Sequence, residues 1–168
     1  MPPSTSKSSS DDDFLIERLA ILVEAIAKTF GSRCEVVLHD LRKLDRSIVK
    51  IEHEYITGRK VGGSLTDLAL RHIRENMTND LLLNYQTTTK DGRTLKSTTV
   101  QIRNRKKVPI AALCINIDIT NLQQACSEMT ELCQISKETE EITESFENDI
   151  TGTISCIIEN TISNYPNW

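Results

Sequence analysis

The side chains able to move protons, attack carbonyls or hold metals are three histidines (39, 53 and 72), five cysteines (34, 114, 126, 133 and 156) and scattered carboxylates. Asp40, Asp45, Glu52, Glu54, Asp67, Asp91 and Asp118 make no nucleophile–base pair and no metal-ligand spacing with them. His39-Asp40 suggests acid–base work, but a histidine at a strand end more often hydrogen-bonds locally or contributes to a ligand pocket. The cysteines are odd in number, widely spaced and without a CxxC pair. That pattern fits small buried hydrophobes in a reducing compartment, not a metal or redox site. TGRKVGG (57–63) has the look of a phosphate loop, yet neither GxxxxGKS/T nor GxGxxG is present. No metal and no catalytic residue is expected. A small enzyme stays open as an alternative that would need His39 or Asp118 in a cleft with a strongly shifted pKa.

Binding chemistry has more to build on. In an extended stretch over 109–118, alternate residues Ala112, Cys114, Asn116 and Asp118 point one way, and Ala111, Leu113, Ile115 and Ile117 the other. The same pleat groups Leu95, Ser97, Thr99 and Gln101 on 94–102, and Leu83, Tyr85 and Thr87 on 83–87. If these small and polar sides converge, they line a cavity with a few placed donors and acceptors. His39, Tyr85, Ser97, Cys114 and Asn116 are the candidate ligand-binding residues. An Asn116 buried without a partner would cost about 1–3 kcal/mol, so it must bond to something. The alternative is a solid sheet whose polar groups bond one another across the ladder. With only 4% aromatic residues, a flavin or haem cradle is not expected and no cofactor is assigned. The ligand, if there is one, is a small polar metabolite.

The elements that must position these residues can be read from periodicity. Three antiparallel strands are expected at 83–89, 94–103 and 109–118, with Lys90-Asp91-Gly92 as the first turn and Asn104–Lys107 as the second. The last strand is apolar on both faces, which places it at or near the centre of a sheet. CEVVLHD (34–40) and SIVKIEH (47–53) add two more strands joined by a polar turn, and 55–64 is a loop. Residues 1–13, MPPSTSKSSSDDD, read as a disordered tail with Asp13 as a helix cap. A helix follows, with Phe14, Leu15, Leu19, Leu22, Val23, Ile26, Ala27 and Phe30 as its apolar stripe and Gly31 as its stop. Ser64 begins a helix whose buried side holds Leu65, Leu68, Ala69, His72, Ile73 and Met77. Asp118 or Thr120 begins another, with a narrow seam of Leu122, Ala125, Cys126, Met129, Leu132 and Cys133. An acidic stretch (137–149) leads to a short terminal segment carrying Ile150, Ile154, Ile157, Ile158 and Ile162 on one helical face. The fold class is α+β, a five-stranded antiparallel sheet with flanking N- and C-terminal helices.

Composition narrows the partners. A net charge of −4 argues against this chain gripping nucleic acid through a broad basic face. RNRKK (103–107) reads as a solvated turn. No apolar run of roughly 18 residues is present and no secretory signal is visible, so a cytoplasmic protein without membrane contact is expected.

The motifs CEVVLHDL (34–41), TGRKVGGSLTDLAL (57–70), NYQTTTKDGRTLKSTTVQIR (84–103) and AALCINIDI (111–119), in that order, resemble the YheO-like PAS domain family over about residues 14 to 125. The resemblance implies a PAS-like sensor domain over 14–135, followed by an acidic linker and short terminal helix over 136–168. It also implies a bacterial transcriptional regulator in which the sensor is followed by a helix-turn-helix, and pairing of two chains through flanking helices. Two departures matter. Ser64 stands where the family usually has Pro, which keeps a good helix start. No helix-turn-helix follows residue 145, so DNA binding is expected only of a parent protein carrying that region. The resulting expectation is a homodimeric sensor for a small-molecule effector. Its alternative is a protein-interaction and dimerisation module without a ligand.

Overall fold

The computed structural model describes residues 5–67, 70–71, 79–135 and 149–164. It divides into two compact units, Met1–Cys126 and Ser127–Trp168. The first unit is built on a five-stranded, fully antiparallel sheet of order β2-β1-β5-β4-β3. Its strands are β1 (Cys34–Asp40), β2 (Ile48–Glu52), β3 (Leu81–Thr88), β4 (Thr94–Arg103) and β5 (Pro109–Asp118). The doubly apolar β5 does lie at the centre, with β1 beside it, and every residue of β1 is buried. That is why both strands carry apolar residues on both faces.

One sheet face is covered by α1 (Thr5–Phe30), whose Ile16, Val23 and Ala27 pack with Val36, Leu38, Ala111 and Leu113. The buried stripe is narrower than the sequence suggests. Phe14, Leu22 and Phe30 are exposed, because a single helix on a sheet buries only one side of its apolar arc. Gly31, at φ +78°, ends the helix as expected, its N–H bonding to the Ala27 carbonyl at 2.9 Å.

The N-terminus corrects an expectation. Residues 5–13 are not a disordered tail but the first turns of α1. Two polar tethers account for the difference. Arg42 bonds to Asp13 at 2.8 Å while also holding Asp40, and Asn104 Nδ2 donates to Asp12 at 3.2 Å. Both partners lie in turns distant in sequence, so helix propensity alone could not reveal them.

The β3–β4 turn follows its Asp-Gly signal. Gly92 takes φ +87°, and its N–H bonds to the Thr89 carbonyl at 3.1 Å. β3 itself is irregular. Leu82 pairs with Thr99 and Tyr85 with Ser97, so β3 spends one residue more than β4 over that span, and Asn84 takes φ 54°. Leu83, expected on the face of Tyr85 and Thr87, therefore falls in the bulge and is exposed; Leu82 takes its place.

After β5, α2 (Thr120–Leu132) starts where Asp118 accepts from the Thr120 N–H at 3.0 Å and from its hydroxyl at 2.7 Å. No residue of α2 is buried. The second unit contains α3 (Ile150–Asn164), capped by Asp149 through the Gly152 N–H at 2.8 Å, with its five isoleucines exposed. Most of the helix expected from Ser64, including Leu68, Ala69, His72, Ile73 and Met77, and the acidic stretch to residue 148 lie outside the described residues; Leu65 is buried as expected. Among the described residues no helix is long and apolar enough to cross a membrane.

Candidate functional site

The sheet face opposite α1 mixes polar groups with a small apolar cluster of Val37, Ile48, Ile51 and Cys114, and strand register arranges it in rows. One row runs Tyr85, Ser97, Asn116, Glu35 across β3, β4, β5 and β1. Next to it run Leu82, Thr99, Cys114, Val37, and beyond them Gln101, Ala112, His39. Over this face lies a cavity of about 720 Å3. His39, Tyr85, Cys114 and Asn116 line it, so four of the five residues singled out by sequence are brought together. Ser97 is not at the cavity surface. It sits behind, buried, as a link in the network.

That network crosses four strands. The Asn116 side chain accepts at Oδ1 from the Ser97 hydroxyl at 2.9 Å and donates from Nδ2 to Glu35 Oε1 at 2.9 Å. With its proton given to Asn116, Ser97 accepts from the Thr87 hydroxyl, also at 2.9 Å. Glu35 Oε2 in turn receives the Thr57 hydroxyl at 2.7 Å and the Thr57 N–H at 3.2 Å. The demand that Asn116 find partners is met in full.

A second, shorter link joins Tyr85, whose hydroxyl lies 2.8 Å from Thr99 Oγ1, to Cys114, whose sulfur is 3.5 Å from the same oxygen. Burial pushes the Tyr85 hydroxyl and the Cys114 thiol above their ordinary pKa values, so both stay protonated. His39 is 1% exposed, and its Nδ1 lies 2.9 Å from Ser47 Oγ. Burial, with a smaller push from Arg59, lowers its pKa to about 3, leaving a neutral imidazole. Burial raises the Glu35 carboxyl above its usual range, opposed by the hydrogen bonds from Thr57 and Asn116.

Three residues escaped the sequence reading. Glu35 is fully buried and anchors the network. A charged residue in the middle of CEVVLHD, two places from Val37 and four from His39 on the same face, was the available signal. Arg59, in the stretch 55–64 expected to be a loop, is half-buried and lines the cavity with Thr57, while its neighbour Lys60 is exposed. Gln101 was placed on the correct face but not singled out. Its amide is buried, and among the described residues neither Oε1 nor Nε2 has a hydrogen-bond partner. No cluster of three or more His, Cys, Asp or Glu able to hold a metal occurs among the described residues. Asp118 is not at the cavity surface; its carboxylate is used in capping α2.

Comparison with known proteins adds a family. The model of the YheO-like PAS domain matches residues 9–134. An uncharacterized protein of Haemophilus influenzae is 32% identical over 155 residues, 92% of this chain and 69% of that protein. YheO of Escherichia coli K12 is 38% identical over 107 residues, 62% of this chain and 45% of its own length. The transcriptional regulator DauR of Pseudomonas aeruginosa is 29% identical over 118 residues, 70% of this chain and 53% of DauR. The chain thus spans about half the length of the latter two.

Proposed function

This chain belongs to the YheO-like PAS domain family, and on that premise we propose that it is the sensory and dimerisation part of a bacterial transcriptional regulator. It binds a small polar metabolite in the cavity over the sheet and performs no catalysis of its own. The relationship to a named transcriptional regulator supports the regulatory role. The observation that carries the ligand is the cavity itself, floored by hydroxyl and amide groups that β1, β3, β4 and β5 hold in place. Such a floor fixes the orientation of a bound molecule without reacting with it. The protein works in the cytoplasm as a homodimer and acts on DNA through a helix-turn-helix in the parent protein. Ligand binding shifts the population of helix arrangements, so the effector must favour one arrangement over the other.

An enzymatic reading gains little from His39. It does line the cavity with a strongly shifted pKa, but a base with a pKa of about 3 takes up almost no proton near neutrality. A ligand-free interaction module has one specific observation in its favour: Asn116, Ser97 and Glu35 already satisfy one another.

A thermal-shift screen against amino acids, organic acids, nucleotides and purines separates the two. A ligand at 100 times its Kd adds about 2.7 kcal/mol of stability. A saturable shift that is lost in Tyr85→Phe and Thr87→Val, both of which leave the Asn116–Glu35 pair intact, supports the sensor. No shift with any compound, from a folded dimer, favours the interaction module.

A further inference from the structure

Resting on the reading of the cavity as a ligand site, we infer that Arg59 is the anchor for a carboxylate of the effector, which makes the effector a small organic acid. Among the described residues, three charged side chains reach the cavity: Arg59, Asp67 and Lys90. Asp67 is exposed and paired with Arg71 at 3.1 Å, and Lys90 is exposed at the rim. Arg59 differs from both. It is half-buried, and its Nη2 donates to the Ser64 carbonyl at 2.6 Å, which fixes the guanidinium plane. Among the described residues it has no carboxylate partner.

The absence of a partner is notable because a buried carboxylate is at hand. Glu35 feels the charge of Arg59, as do His39 and Cys114, so the guanidinium projects its field into the cavity. Yet both Glu35 oxygens are engaged by Asn116 and Thr57, and no ion pair forms with Arg59. A guanidinium carries five N–H donors in a planar fork that matches a carboxylate two bonds at a time. Among the described residues this half-buried guanidinium has a carbonyl partner but no counter-charge, and a ligand carboxylate in the cavity would supply one. One such cation suits a monoanion; a phosphate dianion in the same place would call for a second cation at equal depth, and Lys90 lies at the rim.

The rest of the lining complements the other end of such an acid. Tyr85, Thr87 and Thr99 offer hydroxyls, and His39, with Nδ1 occupied by Ser47, offers Nε2. These groups are neutral and suit hydroxyl or amino substituents.

The test uses the full chain and calorimetric titration with short hydroxy acids and amino acids, each matched with its own primary carboxamide. The carboxamide keeps the shape and removes the charge. The expected result is that acids bind about 10- to 100-fold more tightly than their amides, the range a charge-assisted bidentate pair supplies. Arg59→Gln removes the preference, Arg59→Lys reduces it without abolishing it because the charge stays and the bidentate fork is lost, and Lys60→Gln changes nothing. Acids and amides binding wild type alike, or an acid preference that survives in Arg59→Gln, overturns the anchor while leaving a ligand site in place. If Arg59→Gln does not fold, an acid preference of unchanged strength in Arg59→Lys overturns the anchor equally. No binding by any member of either series overturns both the anchor and the sensor reading it rests on.

Discussion

A buried neutral histidine makes stability depend on pH, with a definite sign. His39 has a pKa of about 3 in the fold against an ordinary 6.5. Between these values the unfolded chain binds a proton that the folded chain refuses. Its stabilising contribution is therefore intact above pH 6.5 and is lost on acidification, by up to about 1.4 kcal/mol per pH unit. Glu35 acts oppositely. Its raised pKa lets the fold keep a proton that the unfolded carboxyl releases above 4.5, so its contribution weakens as pH rises through the raised value. In urea denaturation between pH 6.5 and 4.5, His39→Gln should lose clearly less stability on acidification than wild type. Equal slopes would mean that His39 protonates freely in the fold. Gln101 permits a simpler test. An unpartnered buried amide costs about 1–3 kcal/mol, so Gln101→Leu should raise stability by about 1 kcal/mol. A drop in the urea midpoint would show that the amide has found a partner.

At the scale of elements, the β4–β5 connection holds a strained position. Asn104 organises it: its carbonyl accepts from the Lys107 N–H at 2.8 Å, and its side-chain oxygen accepts from the Lys106 and Val108 N–H groups at 3.0 and 3.1 Å. Lys107 then takes φ 63°, a conformation that suits glycine better than a residue with a Cβ. Lys107→Gly should stabilise the protein by about 0.5–1 kcal/mol, read from the thermal midpoint; a loss would show that the Lys107 side chain packs usefully on the turn. Why this turn and the Asp91-Gly92 hairpin could be located from sequence, and other features could not, has a physical basis. Turns and alternating strands are local: Asp-Gly and the strand pleats carry their own signal, and they gave the consecutive strands β3, β4 and β5, the central place and two faces of β5, and four cavity-lining residues. The bulge at Asn84 depends on how β3 meets β4, the first turns of α1 depend on Arg42 and Asn104, and the inward turn of Arg59 depends on Ser64. Each of those is settled by a partner outside the segment. Glu35 lies between the two cases, since its position in the strand was legible but its hydrogen-bond partner, 81 residues away, was not.

For the molecule as a whole, the unburied helix surfaces bear on assembly. Leu122 and Met129, seven residues apart along one line of α2, are 58% and 65% exposed, and α1 leaves Phe14, Ile21 and Leu22 outside its packed side. If the chain pairs with a second copy through α2, Leu122→Glu and Met129→Glu should each weaken the dimer about tenfold or more in sedimentation analysis, since a charge would then be buried at the seam. Ligand affinity should stay unchanged; an undisturbed dimer would move the interface elsewhere. The strand order has one more effect, and it concerns time. β1–β2 and β3–β4–β5 are each meanders of sequence neighbours, and they meet only along β1 and β5. Joining Glu35 to Asn116 closes a loop of 81 residues, whereas joining Ser97 to Asn116 closes one of 19, a difference of about 1.3 kcal/mol in closure entropy. The two halves can thus form early and separately, and the joint between them closes late. The buried carboxylate and its amide stand at that joint, so the part of the cavity floor that rests on β1 is complete only once the halves have come together.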